Sequence, residues 1–253
     1  PLHTSSWFTV GGGVEPGEGN LLSANDPNMQ GAGQYTRIIG NIFGLDITGT
    51  KPIGGDQWVN LELVNGDMNV TVGGTTFAER NIIGGTTIGV EMRGSLTCQN
   101  AVIGNYIGTD ATGNFASGSS SDWVIGVAVE SANFNRIGGQ AAGEGNLIGG
   151  LGKGISLYGY GDDDNPIMGN RLGVNASGTG LLPNRTGIEC ASGLHRGVIG
   201  GWTAAEGNLI VGGTNAIRAS ELGIINFYIA GNTIRRGDGN GIYMARRASG
   251  NFI

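Results

Sequence analysis

GNYIGTDATGN, residues 104–114, carries the repeat on which the chain is built. Its core is a Gly or Arg, then Asn, any residue, and an apolar residue. The Asn recurs at Asn20, Asn41, Asn81, Asn105, Asn146, Asn170, Asn208, Asn232 and Asn251. Two positions after each stands Leu22, Phe43, Ile83, Ile107, Ile148, Leu172, Ile210, Ile234 or Ile253. Self-similarity of this kind sets an architecture before any chemistry is considered.

Spacings between successive asparagines run 21, 40, 24, 41, 24, 38, 24 and 19, so a short turn of the chain alternates with a long one. Gly-Gly at 11, 73, 138 and 200 and Gly-Asn at 40, 104, 169 and 231 share steps of 62–65 residues, which divides residues 1–253 into four double units of a single domain. Inside a turn, three apolar segments of three to five residues can be placed, as in Asn146-Leu-Ile-Gly, Gly154-Ile-Ser-Leu-Tyr and Pro166-Ile-Met-Gly. They are too short for helices and are bounded by Gly or Asn. Three short strands in about 20 residues predict an all-β fold, a right-handed parallel β-helix of about nine coils. At about 4.8 Å per coil the rod is roughly 40 Å long. Asparagines at one corner of every coil are expected to hydrogen-bond up the stack, and the preceding glycine supplies the left-handed backbone of that corner.

Composition agrees. The 253 residues include 52 glycines, about three times the usual share, without the strict triplet of collagen. Only 13% are charged and no apolar run is long enough to span a bilayer. A net charge of −6 argues against a nucleic-acid partner.

The same segments, GNYIGTDATGN with Gly126-Val-Ala-Val, Asn135-Arg-Ile-Gly-Gly and Glu144-Gly-Asn-Leu-Ile, resemble the repeat of large bacterial secreted right-handed β-helix proteins. The resemblance implies the fold and an extracellular or cell-surface setting. It implies little about activity, because surface proteins, phage tailspikes and polysaccharide-degrading enzymes share the scaffold. Residues 1–70 depart from it, with Asn28-Met-Gln where Gly-Ile is expected.

Candidate chemistry is sparse. Asp46, Asp110 and Asn175 fall at one position of the longer coils, in LDITG, TDATG and NASG, and read as Asx turns. His3 and His195 have no acidic neighbour or second His at metal spacing and read as surface residues. Asp162, Asp163 and Asp164 form the densest acidic cluster, a possible Ca²⁺ site against a solvated loop, and no other cofactor is expected. Tyr158 and Tyr160 beside it, and Trp58 and Trp123 two coils apart at about 10 Å, could contact a glycan. The ordinary alternative is a tryptophan packing a loop against the rod. Cys98 and Cys190, about three coils apart, are expected to stay thiols.

Trp7, Phe8, Arg235, Arg236, Arg246, Arg247, Phe252 and Ile253 mark the two ends of the repeat, one acidic and one rich in arginine. From Asn251 through the last residue to Asn20 of a second copy is 22 residues, one ordinary coil, so end-to-end stacking is expected. The primary expectation is therefore a structural rod, a fibre subunit or adhesin rather than an enzyme. A polysaccharide-active enzyme (lyase, hydrolase or epimerase) or a tailspike-like glycan-binding protein is the alternative.

Overall fold

A computed structural model describes residues 8–12, 18–54, 57–159, 161–162, 164–191, 193–219, 224, 226–244 and 249–253, with backbone alone at 161–162 and 194–195. The described chain forms three parallel eight-stranded sheets and one small two-stranded pairing. Sheet A holds Thr9–Gly11, Arg37–Ile39, Thr71–Gly73, Ala101–Ile103, Arg136–Gly138, Pro166–Met168, Val198–Gly200 and Tyr228–Ala230. Sheet B holds Leu21–Leu22, Ile42–Phe43, Ile82–Ile83, Tyr106–Ile107, Leu147–Ile148, Arg171–Leu172, Leu209–Val211 and Thr233–Arg235. Sheet C holds Met29–Gln30, Val59–Leu63, Ile88–Arg93, Ile125–Glu130, Lys153–Tyr158, Thr186–Ala191, Asn215–Ala219 and Asn240–Met244. The chain passes A, B, C and returns to A one rung higher, which makes a parallel β-helix of eight complete coils. Asn28-Met-Gln does not interrupt it, since Met29 pairs with Leu61 in sheet C.

One or two apolar residues per strand point inward and stack on their equivalents. Ile38, Val72, Val102, Ile137, Ile167 and Ile199 form the sheet A column, each fully buried. Sheet B supplies Phe43, Ile83, Ile107, Ile148, Leu172 and Ile210, the residues two places after the asparagines. Each such burial stabilises by about 1.5–3 kcal/mol. In coils 3 to 8 the sheet C residue before the inward column is Gly or Ala. A Cβ on Gly126 would sit 2.5 Å from Gly154 O and 3.0 Å from Ile148 Cγ2, so the Gly-Val strand signature reflects close approach of the next coil.

The asparagine ladder has eight rungs, not nine. Each backbone N–H and Nδ2 from Asn20 to Asn208 donates to Oδ1 of the next rung, as in Asn105 N to Asn146 Oδ1 at 3.0 Å and Asn105 Nδ2 to the same oxygen at 3.1 Å. The last step runs from Asn208 to Asn232. Asn251 lies on a different corner. Its Oδ1 accepts from Phe227 N at 2.8 Å, and Phe252 adds to sheet A beside Tyr228. That corner has its own asparagines, Asn100, Asn135 and Asn165, where the backbone N–H of Asn100 and of Asn135 each donates to Oδ1 of the next. Both corners precede a short strand and share the Asn-x-apolar pattern, which is why sequence spacing merged them.

Extra residues of the long spacings sit at two corners rather than one. Coils 2, 4 and 6 carry a loop between sheets B and C, and coils 3, 5 and 7 a loop between sheets A and B. Walking from Asn41 to Asn81 crosses both loops, whereas walking from Asn81 to Asn105 crosses neither. In the first kind of loop Asp46, Asp110 and Asn175 each close an Asx turn: Asp110 Oδ1 accepts from Asn114 N at 3.0 Å and Phe115 N at 3.1 Å. These loops stack on one another two coils apart, through Ala111 N to Gly49 O and Ala176 N to Gly113 O, both 2.8 Å. In the second kind a glutamate does the turning, as where Glu206 Oε2 accepts from Trp202 N at 2.7 Å and Thr203 N at 2.8 Å.

Candidate functional site

Parallel stacking puts residues of equal repeat position side by side, and the outward row of sheet C gathers charge. Glu62 pairs with Glu91, Glu91 with Ala128, Ala128 with Ser156, Ser156 with Glu189, and Glu189 with Arg218. A second outward row, at the ends of the strands, runs Arg93, Glu130, Tyr158, Ala191. Between the rows and the coil 2 and coil 4 loops lies a groove of about 880 Å³. Asp26, Trp58, Glu62, Glu91, Arg93, Asp122, Trp123, Glu130, Lys153, Tyr158, Glu189 and Arg218 line it. Val59, Ile88 and Ala128, with Ile125 and Tyr158 packed against them, give it an apolar floor.

The carboxylates differ in their company. Glu62, 4% exposed, is gripped by Arg93 and by the Gln30 amide. Glu189, also 4% exposed, takes Lys153 on one oxygen and Arg218, at 3.2 Å, on the other. Glu91, 6% exposed, has neither, and its described partner is the Tyr158 hydroxyl, which donates to Oε1 at 3.4 Å. Burial, opposed by the Arg93 charge and reinforced by Glu62 and Glu130, raises the Glu91 carboxyl above its ordinary range. The same burial, with the negative charge of Glu91 beside it, pushes the Tyr158 phenol up. Hydrogen bonding to Glu62 raises the Arg93 guanidinium, which keeps its charge.

Both groove tryptophans are exposed, Trp58 by 57% and Trp123 by 77%, instead of packing a loop down. Asp26 fixes the first: its Oδ1 accepts from Trp58 N at 3.0 Å and Val59 N at 3.2 Å. Asp122, next to Trp123, is tied to Arg185 at 2.8 Å. Tyr158 lines the groove with them, whereas Tyr160 lies outside the described residues.

The acidic triplet is not gathered into that groove. Asp162 belongs to the two-stranded pairing Gly161–Asp162 with Leu194–His195, which sets the backbones of Asp162 and His195 side by side. Asp164 Oδ2 forms an ion pair with Arg196 at 3.0 Å. Asp163 lies outside the described residues, as does His3. Among the described residues no group of three or more His, Cys, Asp or Glu could hold a metal ion. Cys98 lies at the corner entering coil 4 and Cys190 in sheet C of coil 6, and both are thiols.

Of the end residues, Phe8 lies beside coil 1, and Arg235, Arg236, Phe252 and Ile253 lie on or beyond coil 8, at the opposite end of the stack. Phe8, Phe252 and Ile253 are exposed. Phe252 caps an aromatic stack, 5.1 Å from Tyr228, which lies 4.4 Å from Trp202. Trp7, Arg246 and Arg247 lie outside the described residues.

Sequence reading missed Glu62, Glu91 and Glu189, because acids 29 and 98 residues apart do not look like a cluster. A signal was present: VNLEL, GVEM and GIEC put Glu at one repeat position, between two inward apolar residues. Among the described residues no helix is long and apolar enough to cross a membrane. No family model, curated protein or solved structure matches the chain.

Proposed function

We propose that the protein is a glycan-binding β-helix that lays a polysaccharide chain along the groove of sheet C. One observation carries this reading. Trp58 and Trp123, both largely exposed, flank a single groove whose floor is apolar and whose sides are hydrogen-bonding carboxylates. Sugar rings offer an apolar face to an indole and hydroxyls to carboxylates, so the two kinds of lining serve one ligand. The loops bearing the tryptophans are two coils apart, about 10 Å, roughly the length of a disaccharide. An extracellular or cell-surface setting, where such chains are met, belongs to the same proposal.

Titration of the protein with neutral, amino-bearing and acidic oligosaccharides, followed by tryptophan fluorescence and calorimetry, tests it. Binding by at least one class is expected, weakened about tenfold by Trp58→Ala or Trp123→Ala. Absence of binding by every class overturns the proposal.

A second reading rests on the terminal coils. Among the described residues the strands of coils 1 and 8 are the outermost in all three sheets, and a sheet edge, where left unpaired, is a surface for pairing with another chain. End-to-end association would extend the rod without obstructing the groove, which opens on its side. Electron microscopy showing only single rods at high concentration excludes it.

A further inference from the structure

The charges of the groove are unevenly committed, and this bears on which glycan it takes. Six carboxylates line it, Asp26, Glu62, Glu91, Asp122, Glu130 and Glu189, against three cations, Arg93, Lys153 and Arg218. All three cations are already used. Arg93 holds Glu62, while Lys153 and Arg218 share Glu189. Asp122 is neutralised by Arg185, and Asp26 is occupied by backbone N–H groups. Glu91 and Glu130 are left, and among the described residues neither has an ion pair. They come from adjacent coils, with Glu91 in register with Ala128 and Glu130 two residues further along that strand.

A polyanionic chain entering here meets a net excess of negative charge. To use a cation it must share one that the fold has already paired, beside the buried carboxylate of that pair, Glu62 or Glu189, and displacing that carboxylate would leave an uncompensated buried charge, which is strongly unfavourable. A chain carrying ammonium groups meets the reverse, two carboxylates whose neighbouring cation, Arg93, is already held by Glu62, in a partly desolvated cleft.

We infer that the groove selects an amino-bearing polysaccharide, with its ammonium groups against Glu91 and Glu130, and rejects polyuronates. This rests on the glycan-binding reading above. The carboxylate walls thus serve as the selective part of the site and the tryptophans as the part common to all glycans.

Calorimetry with three oligosaccharides of matched length tests the inference: a free-amine glucosamine oligomer, its N-acetylated counterpart, and a galacturonate oligomer. The amine form is expected to bind about tenfold more tightly than the acetylated form at low salt, with no measurable binding of galacturonate. The advantage is expected to shrink as salt rises. Glu91→Gln and Glu130→Gln should each remove most of that difference between the amine and acetylated oligomers, with a far-ultraviolet circular dichroism spectrum like that of the wild type showing that both variants are folded. Equal binding of amine and acetylated forms, or tighter binding of galacturonate, overturns the inference and leaves the glycan-binding reading intact. Failure of all three to bind overturns both.

Discussion

Asn105 shows how much one side chain does in this fold. Its Nδ2 donates to Val72 O at 2.9 Å and to Asn146 Oδ1, while its Oδ1 accepts from Asn81 N at 3.2 Å and Asn81 Nδ2 at 2.9 Å. Alanine there strands a carbonyl and two donors in a dry corner. Asn105→Ala is expected to cost about 3 kcal/mol or more, read from denaturant melts. Asn251→Ala, at a half-exposed corner with two bonds, should cost about 1 kcal/mol. Similar losses for the two would deny the ladder its role. Glu91 supports a second prediction at this scale. Arg93, Glu62, Glu130 and Tyr158 face it, and its raised carboxyl means that the folded state binds a proton more tightly than the unfolded chain. The folded state is therefore favoured by that proton at low pH, and stability is lost as pH climbs from the usual glutamate range through the raised value. Glu91→Gln cannot titrate, so melting temperatures of the variant minus wild type should grow more positive from pH 4 to pH 8. A constant difference refutes the assignment. These residue roles were half legible in sequence. The ladder asparagines showed themselves by repetition, whereas Glu91 acquires its character from Glu62, Arg93 and Tyr158 on other coils, and no local pattern records that.

At the level of elements, the strands are nearly interchangeable and the loops are not. Each strand contributes one or two inward apolar residues, so the sequence segments Asn146-Leu-Ile-Gly, Gly154-Ile-Ser-Leu-Tyr and Pro166-Ile-Met-Gly map onto Leu147–Ile148, Lys153–Tyr158 and Pro166–Met168 almost residue for residue. The loops turn on single acceptors. Asp110→Ala removes the acceptor for two backbone N–H groups and the Thr112 hydroxyl, and should cost about 1–2 kcal/mol. Asp110→Asn should cost less than half as much, because Asn175 already makes the same turn two coils away, accepting from Thr179 N at 3.1 Å and Gly180 N at 2.9 Å. Equal losses from the two substitutions, measured by thermal melting, would mean that charge rather than acceptor geometry holds the loop. The Asx turns were legible because Asp or Asn followed by Thr or Ser and Gly is a local code. The position of the extra residues was not, since a spacing between asparagines sums two corners and cannot say how the length is divided.

Across the whole molecule, the three sheets give the protein a clear division of faces. Sheet C, with the longest strands, bears the groove, and the short strands of sheets A and B leave room for the loops that alternate between corners. Residue repetition made the solenoid legible because every coil must solve the same packing problem. The groove was hidden for the complementary reason: outward positions are free to differ, and its lining is spread over coils 1 to 7. The ladder adds a property that belongs to the rod as a whole. Every step from Asn20 to Asn232 runs donor to acceptor in one direction. The stack is therefore vectorial, and its two directions are chemically unlike. Two like ends brought together would set ladder donor against ladder donor or ladder acceptor against ladder acceptor, so the ladder itself continues across a junction only in the head-to-tail sense.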